Sequence, residues 1–461
     1  MDDVEKVDLV VVGLGPGGEA LATGAASDGL KVVAIDKHLV GGECPYYACI
    51  PTKIMLRAAD ALAEAGRAGS LAGDVSVVRS WQPVVGRVHE ATSVWDDRAA
   101  VERLEDAGVT VLHGTGRLDG AGRVVVELAG SAGSRTFVAD RGVVLNPGTR
   151  PASPAIPGLE GTPYWTNREA VQAESVPEEL IVVGGGPVGC ELAQVFARFG
   201  VAVTIVQRGE RLLPHDEPEA STALQDVLVA DGIRVLTGAE TTRVAYAEGR
   251  FTVTLDDGQQ LGADRLLMAA GRTPNLDDIG LDTVGLSADD LAVDDRMRAQ
   301  DRLWIIGDVT ARGAYTHVSM YQSAIALRDV LGQDGEPASY DAVPHTTFTD
   351  PEVAGVGLTE KAARERGLQV QTGQADMSSA SRGFTHGPGA TGLVKLVADA
   401  DRGVLVGGTV VGPAGGEVLS MITLAVHAEV PVDRLRTMIY TYPTFHRAIE
   451  SALDDLGSGA A

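Results

Sequence analysis

The chain has 461 residues, with 63 acidic against 38 basic side chains and a formal net charge of -25. That length accommodates about three domains with buried cores, and the negative balance argues against nucleic acid or an anionic membrane as a partner. Aromatic residues make up 4%, glycines number 57 and no apolar run is long enough to cross a bilayer, which points to a protein rich in tight strand-to-helix turns.

The acidic start, Met-Asp-Asp-Val-Glu-Lys, runs straight into an apolar strand over residues 7–12, so no signal peptide and a cytoplasmic setting are expected. Next come Gly13-Leu14-Gly15-Pro16-Gly17-Gly18, a helical pattern from Glu19 to about Asp28, and a second strand, Lys31 to Ile35, that ends at Asp36. This is a dinucleotide fingerprint in its strand–turn–helix–strand–acid context. Gly13 permits the turn, Gly15 lets the backbone approach a pyrophosphate and Gly18 lets helix and strand pack closely. The helix N-terminus offers N–H groups and the positive end of its dipole to phosphate. Asp36 is expected to accept hydrogen bonds from a ribose, and Pro16, Gly17 and Lys37 complete the candidate contacts.

Residues 41–53 follow at once: Gly-Gly-Glu-Cys-Pro-Tyr-Tyr-Ala-Cys-Ile-Pro-Thr-Lys. Two thiols, Cys44 and Cys49, at short spacing beside a nucleotide site can store two electrons as a dithiol–disulfide couple. A structural bridge and a zinc site are the alternatives. In a reducing compartment a bridged pair is more often catalytic than structural. With three cysteines in all and no C-x-x-C pair, no metal site is expected. Cys190, in an apolar helical pattern, reads as a small buried side chain.

The fingerprint recurs. A strand over Leu180–Val183 leads into Gly184-Gly185-Gly186-Pro187-Val188-Gly189, a helix from Cys190 to about Phe199, and a strand over Ala202–Val206. This second strand ends in Gln207-Arg208 instead of an acid. An acid there would bind the free 2′-hydroxyl of NADH and repel a 2′-phosphate. Arg208, with Arg211, would attract that phosphate, so NADPH is expected over NADH. Gly189, more typical of NAD sites, points the other way.

The run Cys44, Cys49, Ile50, Pro51, Thr52, Lys53, placed directly after the first fingerprint, strongly resembles the redox segment of the flavoprotein disulfide reductases, the family of glutathione reductase, dihydrolipoamide dehydrogenase and mercuric reductase. Leu303-Trp304-Ile305-Ile306-Gly307-Asp308 resembles its second FAD motif. Residues 145–151 and 269–275 resemble its two interdomain crossings, and residues 344–354 with Gly357-Leu358-Thr359-Glu360 its dimer-interface domain. The resemblance covers essentially the whole chain. It implies an α/β fold with two Rossmann-like dinucleotide-binding domains plus a C-terminal α+β dimerisation domain. The FAD-binding domain would be discontinuous, over 1–150 and 271–340. The NAD(P)H-binding domain would span 151–270 and the dimerisation domain 341–461.

The resemblance further implies a homodimeric, FAD-dependent NAD(P)H oxidoreductase. Electrons would pass from NADPH through FAD and the Cys44–Cys49 disulfide to a small disulfide or thiol-reactive substrate. FAD would lie at the first fingerprint, where Gly42, Glu43, Gly148, Gly271, Arg272, Gly307, Asp308 and His317 join its contacts. By motif position Cys49 lies nearest the flavin and Cys44 attacks the substrate. Lys53 pairs with Glu191, directly after the second glycine loop, near the flavin N5 region.

Several positions depart from the family pattern. Asn146-Pro147 stands where relatives have an Ala-Thr-Gly core, so a local backbone difference is expected. Pro45-Tyr46-Tyr47-Ala48 separates the cysteines, where the tyrosines either narrow access or pack locally. In the family's C-terminal His-Pro-Thr-x-x-Glu, Tyr442 replaces the histidine and Arg447 the glutamate. A phenol with a pKa of about 10 is a poor base at neutral pH. His446 and Glu450, spaced to share a helix face with Tyr442, are the candidates for a displaced base and its orienter. These departures open an alternative: reduction of metal ions, quinones or other electrophiles in the manner of a mercuric reductase. The final Gly-Ser-Gly-Ala-Ala is expected to be a flexible tail, and it carries no relay thiols.

Overall fold

The computed structural model describes residues 4–130 and 133–457. The expected tail, apart from Gly457, and the first three residues lie outside the described residues. The chain forms two compact units: one holds the chain up to Pro51, Val88–Arg150 and Arg272–Ser339, the other Thr52–Arg87, Pro151–Gly271 and the chain from Tyr340 on.

In the first unit the apolar run predicted at 7–12 is the inner strand Val4–Val12. It pairs in parallel with Val32–Asp36 on one side and Ser134–Leu145 on the other. Thr110–Leu118 and Leu303–Ile305 extend the parallel sheet outward, and Arg123–Leu128 runs antiparallel to both long strands. Its core strands are nearly continuous in Val, Leu and Ile, and they share a buried core with Leu118, Val124, Val126, Leu276, Ile279 and Leu281. The register aligns Val12 with Ile35 and Leu145, and Leu145 with Ile305. The first glycine loop, Asp36, Asn146 and the Gly307-Asp308 segment therefore share the carboxyl edge of the sheet, where doubly wound folds bind ligands.

In the second unit the order Arg265–Met268, Glu179–Val183, Ala202–Gln207, Arg234–Thr237 makes a parallel four-stranded sheet. A three-stranded antiparallel sheet, Thr241–Ala247, Arg250–Leu255 and Gln260–Ala263, adjoins it. Beyond Tyr340 a five-stranded antiparallel sheet packs against the helices Gly415–His427 and Arg447–Asp455 around a core of Val394, Leu396, Val410, Ile422 and Leu453. This is the mixed α/β architecture with a C-terminal α+β domain that the sequence implies. Among the described residues no helix is long and apolar enough to cross a membrane.

Candidate active site

The first glycine loop is shaped by close approaches. Gly13 has φ of 97°, open to glycine, and a Cβ there would collide with the Asn146 carbonyl. A Cβ on Gly18 would strike the Gly13 carbonyl oxygen, and one on Gly17 the Ser319 hydroxyl. Gly15 is the N-cap of the helix Pro16–Ser27 and supplies no side-chain cap, so the first turn presents N–H groups outward. Asp36 accepts from the backbone N–H groups of Leu14 and His38, each at 2.7 Å, while burial pushes its carboxyl pKa up. Lys37 is exposed beside it.

Asn146 takes the place of the family's small residue and is buried. Its backbone N–H donates to the Val12 carbonyl at 2.7 Å. Its amide oxygen meets the Gly18 N–H at 3.0 Å and its nitrogen the Ile306 carbonyl at 3.3 Å, the orientation that satisfies both ends. The side chain thus ties the first glycine loop to the second motif. Asp308 accepts from the Thr149 hydroxyl at 2.7 Å. Arg272 donates to that hydroxyl at 2.6 Å and to the Thr149 carbonyl at 2.7 Å, and lies 3.6 Å from Glu43. Thr149 is the missed residue that links Glu43, Arg272 and Asp308; its place beside Gly148 was the available signal. Gly148 and Gly271 take φ of 65° and 114° with open space where a Cβ would stand. Gly307 has φ of 83°, and its N–H donates to Gln322 at 2.7 Å.

Cys44 lies in the short helix Glu43–Tyr46, which Gly42 precedes, and Cys49 is the first residue of the helix Cys49–Arg67. Both cysteines are half-buried. The Cys49 sulfur is 3.6 Å from the Thr316 hydroxyl, and Thr316 itself opens the helix Thr316–Val330. Sequence reasoning singled out the neighbour His317; the structure leaves His317 exposed, its ring stacked on Tyr315 at 5.2 Å. Tyr46 is buried and Trp95 donates to its carbonyl at 3.2 Å; burial pushes its phenol up to about 12. Local packing is therefore the role of Tyr46.

In the second unit the glycine loop repeats the design. Gly184 has φ of 116°, Gly186 caps the helix Pro187–Arg198, Pro187 occupies its first turn and Val188 is exposed. Gln207 stands where Asp36 stands in the first repeat, and its amide oxygen accepts from the Gly185 N–H at 2.9 Å. Arg208 is exposed with no hydrogen bond or ion pair among the described residues, whereas Arg211 donates to the Pro214 carbonyl at 2.7 Å. A Cβ on Gly189 would collide with the Gly184 carbonyl oxygen, so packing alone requires this glycine. Cys190 is fully buried and its thiol pKa is pushed up by burial, as expected of a core side chain.

Lys53 and Glu191 come together: the ammonium lies 2.8 and 3.0 Å from the two carboxylate oxygens. The Glu191 side chain is only 4% exposed and also accepts from the Phe348 N–H at 2.8 Å. The ammonium further sits 4.7 Å from the centre of the Phe348 ring.

At the C-terminal segment the expected His446–Glu450 pair does not form. His446 is the N-cap of the helix Arg447–Asp455, and Glu450 instead binds Arg447 at 2.7 Å, one turn away. The Arg447 guanidinium is always charged and holds the carboxylate. The Arg447 guanidinium lies 5.6 Å from the centre of the Tyr442 ring, and Tyr442 is 67% exposed. Among the described residues no group of three or more His, Cys, Asp or Glu side chains is arranged to hold a metal.

Residues 7–326 match the family model for pyridine nucleotide-disulphide oxidoreductases, and residues 343–453 match the dimerisation domain of the same family, which supports a homodimer. The chain is 32% identical to the mercuric reductase of Acidithiobacillus ferrooxidans over 98% of its own length and 83% of that protein's. It is 33% identical to the dihydrolipoyl dehydrogenase of Chlorobaculum tepidum over 98% of each. The fold matches the crystal structure of LpdA from Mycobacterium tuberculosis with a TM-score of 0.86 and 27% identity, over 97% of this chain and 99% of that one.

Proposed function

Because this chain belongs to the pyridine nucleotide-disulphide oxidoreductases, an FAD- and pyridine nucleotide-dependent family, we propose that it carries electrons from NADPH through Cys44 and Cys49 to a small disulfide or thiol-reactive acceptor. The observation that carries this reading is Cys49 at the head of the helix whose next turn holds Lys53 against Glu191. We assign the FAD-binding domain to residues 1–150 and 271–340, the NADPH-binding domain to 151–270 and the dimerisation domain to 341–461, in a cytoplasmic homodimer.

The residues fit bound FAD: the uncapped helix start at Gly15 suits a pyrophosphate, and Gly13, Gly18, Asp36 and Asp308 would hold the cofactor. When bound, FAD supplies two-electron transfer between a nicotinamide and a thiol pair. The positive end of the helix Cys49–Arg67 favours negative charge on the Cys49 sulfur, and the Thr316 hydroxyl is placed to donate to it. In the dithiol state the Cys44 thiolate attacks one sulfur of a substrate disulfide, forms a mixed disulfide and releases one thiol. The Cys49 thiolate then attacks the Cys44 sulfur, which releases the second thiol and restores the Cys44–Cys49 bond. Glu191 neutralises Lys53 and fixes it one turn beyond Cys49.

NADPH is favoured over NADH by Gln207 and the uncommitted Arg208. Gly189 carries no weight against this, since its helix has no room for a methyl group.

The second reading, an acceptor such as a metal ion or a quinone, is favoured by one observation. Tyr442 lies against Arg447, which is held by Glu450, in place of an acid–base histidine. An acceptor that releases no thiolate needs no relay base at this position.

Reductive titration with dithionite under argon tests the electron path. The enzyme is expected to take up about four electrons per protomer and the Cys44→Ser variant about two. Equal uptake by both would leave the cysteines outside the path.

A further inference from the structure

In the second unit, the part of the helix Cys49–Arg67 from Thr52 on and the helix Pro187–Arg198 are joined by two ion pairs at matching spacing. On the helix Cys49–Arg67, Asp60 lies two turns beyond Lys53; on the helix Pro187–Arg198, Arg198 lies two turns beyond Glu191. The Lys53 ammonium meets Glu191 at 2.8 Å, and the Arg198 guanidinium meets Asp60 at 2.8 Å. The polarity is reversed between the rungs, so sliding Lys53 level with Arg198 would set two cations together, and rotating either helix would break both pairs.

The second rung is anchored on a buried guanidinium, while the Asp60 side chain is 33% exposed. The Arg198 side chain is 5% exposed and also binds Asp231 at 3.0 Å and Asp350 at 2.9 Å. Arg67, the last residue of the helix that begins at Cys49, binds Asp350 at 2.6 Å. Gln194, midway between Glu191 and Arg198, brackets the Asp350 backbone, accepting from its N–H at 2.8 Å and donating to its carbonyl at 2.9 Å. Since the Phe348 N–H donates to Glu191, both rungs are fastened to the same short segment, 348–350. Buried ion pairs add little net stability, and their best-attested use is to specify register.

We propose that Arg198, acting through Asp60, is a positioning residue that fixes the rotation and register of the helix Cys49–Arg67 so that Lys53 stays on Glu191. Its consequence for the reaction rests on the reading of Lys53–Glu191 as the pair beside the flavin. Asp60→Ala removes the rung yet leaves Arg198 paired with Asp231 and Asp350, so the fold keeps its buried cation satisfied. Asp60→Asn keeps an oxygen that accepts from Arg198, and Arg198→Lys keeps the charge but loses the three-way fork.

The test is acylation of Lys53 in the intact flavoenzyme, followed by mass spectrometry, beside the rate of flavin reduction per bound flavin. Asp60→Ala and Arg198→Lys are expected to raise the Lys53 acylation rate on the order of threefold to tenfold, toward the rate of Glu191→Gln, and to slow flavin reduction. Asp60→Asn is expected to stay near the parent rate. A purely structural role would lower the melting temperature and leave Lys53 reactivity unchanged. A parent-like rate in Asp60→Ala and Arg198→Lys, with a raised rate in Glu191→Gln, overturns the positioning role alone. A parent-like rate in Glu191→Gln as well overturns the reading of the pair too.

Discussion

At Asp60, burial outweighs the neighbouring guanidinium: desolvation, helped by Asp350 and opposed by Arg198 and Arg57, pushes its carboxyl from 3.8 up to about 6. A carboxyl raised in the fold binds its proton more tightly there than in the unfolded chain. Its stabilising contribution is therefore fully present below about pH 4 and lost as pH rises through about 6. Asp60→Asn is accordingly expected to leave the melting temperature at pH 7 unchanged or higher and to flatten its dependence between those values. Arg198→Met takes the cation from Asp60 and Asp231, leaves Asp350 with Arg67 alone, and is expected to cost about 3–5 kcal/mol. Thermal unfolding followed across pH checks both; equal losses in the two variants would contradict this ordering. Lys53 and Glu191 are legible in the sequence because each sits in a motif. Arg198 and Thr316 are not, because their partners lie far along the chain and nothing local marks them, and Thr149 has only its place beside Gly148 to mark it. The same limit explains Glu450, where helix spacing allows His446 or Arg447 as partner and the fold pairs it with the arginine.

The elements themselves follow the sequence pattern closely, with shifts at their ends. Both helices predicted to begin after a glycine loop start earlier, at Pro16 and Pro187, because proline fits the first helical turn, where an N–H bond is not needed. The two loops repeat one constraint: the last glycine lies against the carbonyl of the first. Gly18→Ala and Gly189→Ala should each force a helix outward at about 1–3 kcal/mol, with different losses. Gly18→Ala is expected to lower the flavin bound per protomer, read from the ratio of visible to ultraviolet absorbance. Gly189→Ala should retain flavin and raise the KM for NADPH. Full flavin content in Gly18→Ala would mean that the first loop does not seat the cofactor.

For the whole molecule, the α/β class and the C-terminal α+β domain are readable because buried parallel strands, paired fingerprints and interface motifs recur in order. The substrate is not readable that way. Identity of 32% to a mercuric reductase and 33% to a dihydrolipoyl dehydrogenase leaves the two chemistries level, and Tyr442 with Arg447 departs from the disulfide-reducing pattern. The most direct measurement is anaerobic reduction by NADPH followed by stopped-flow reoxidation with a panel of small disulfides, metal ions and quinones. Our account predicts fast reoxidation by at least one disulfide or other thiol-reactive acceptor, abolished in Cys44→Ser. Reoxidation that is equally fast in Cys44→Ser with every acceptor would contradict it.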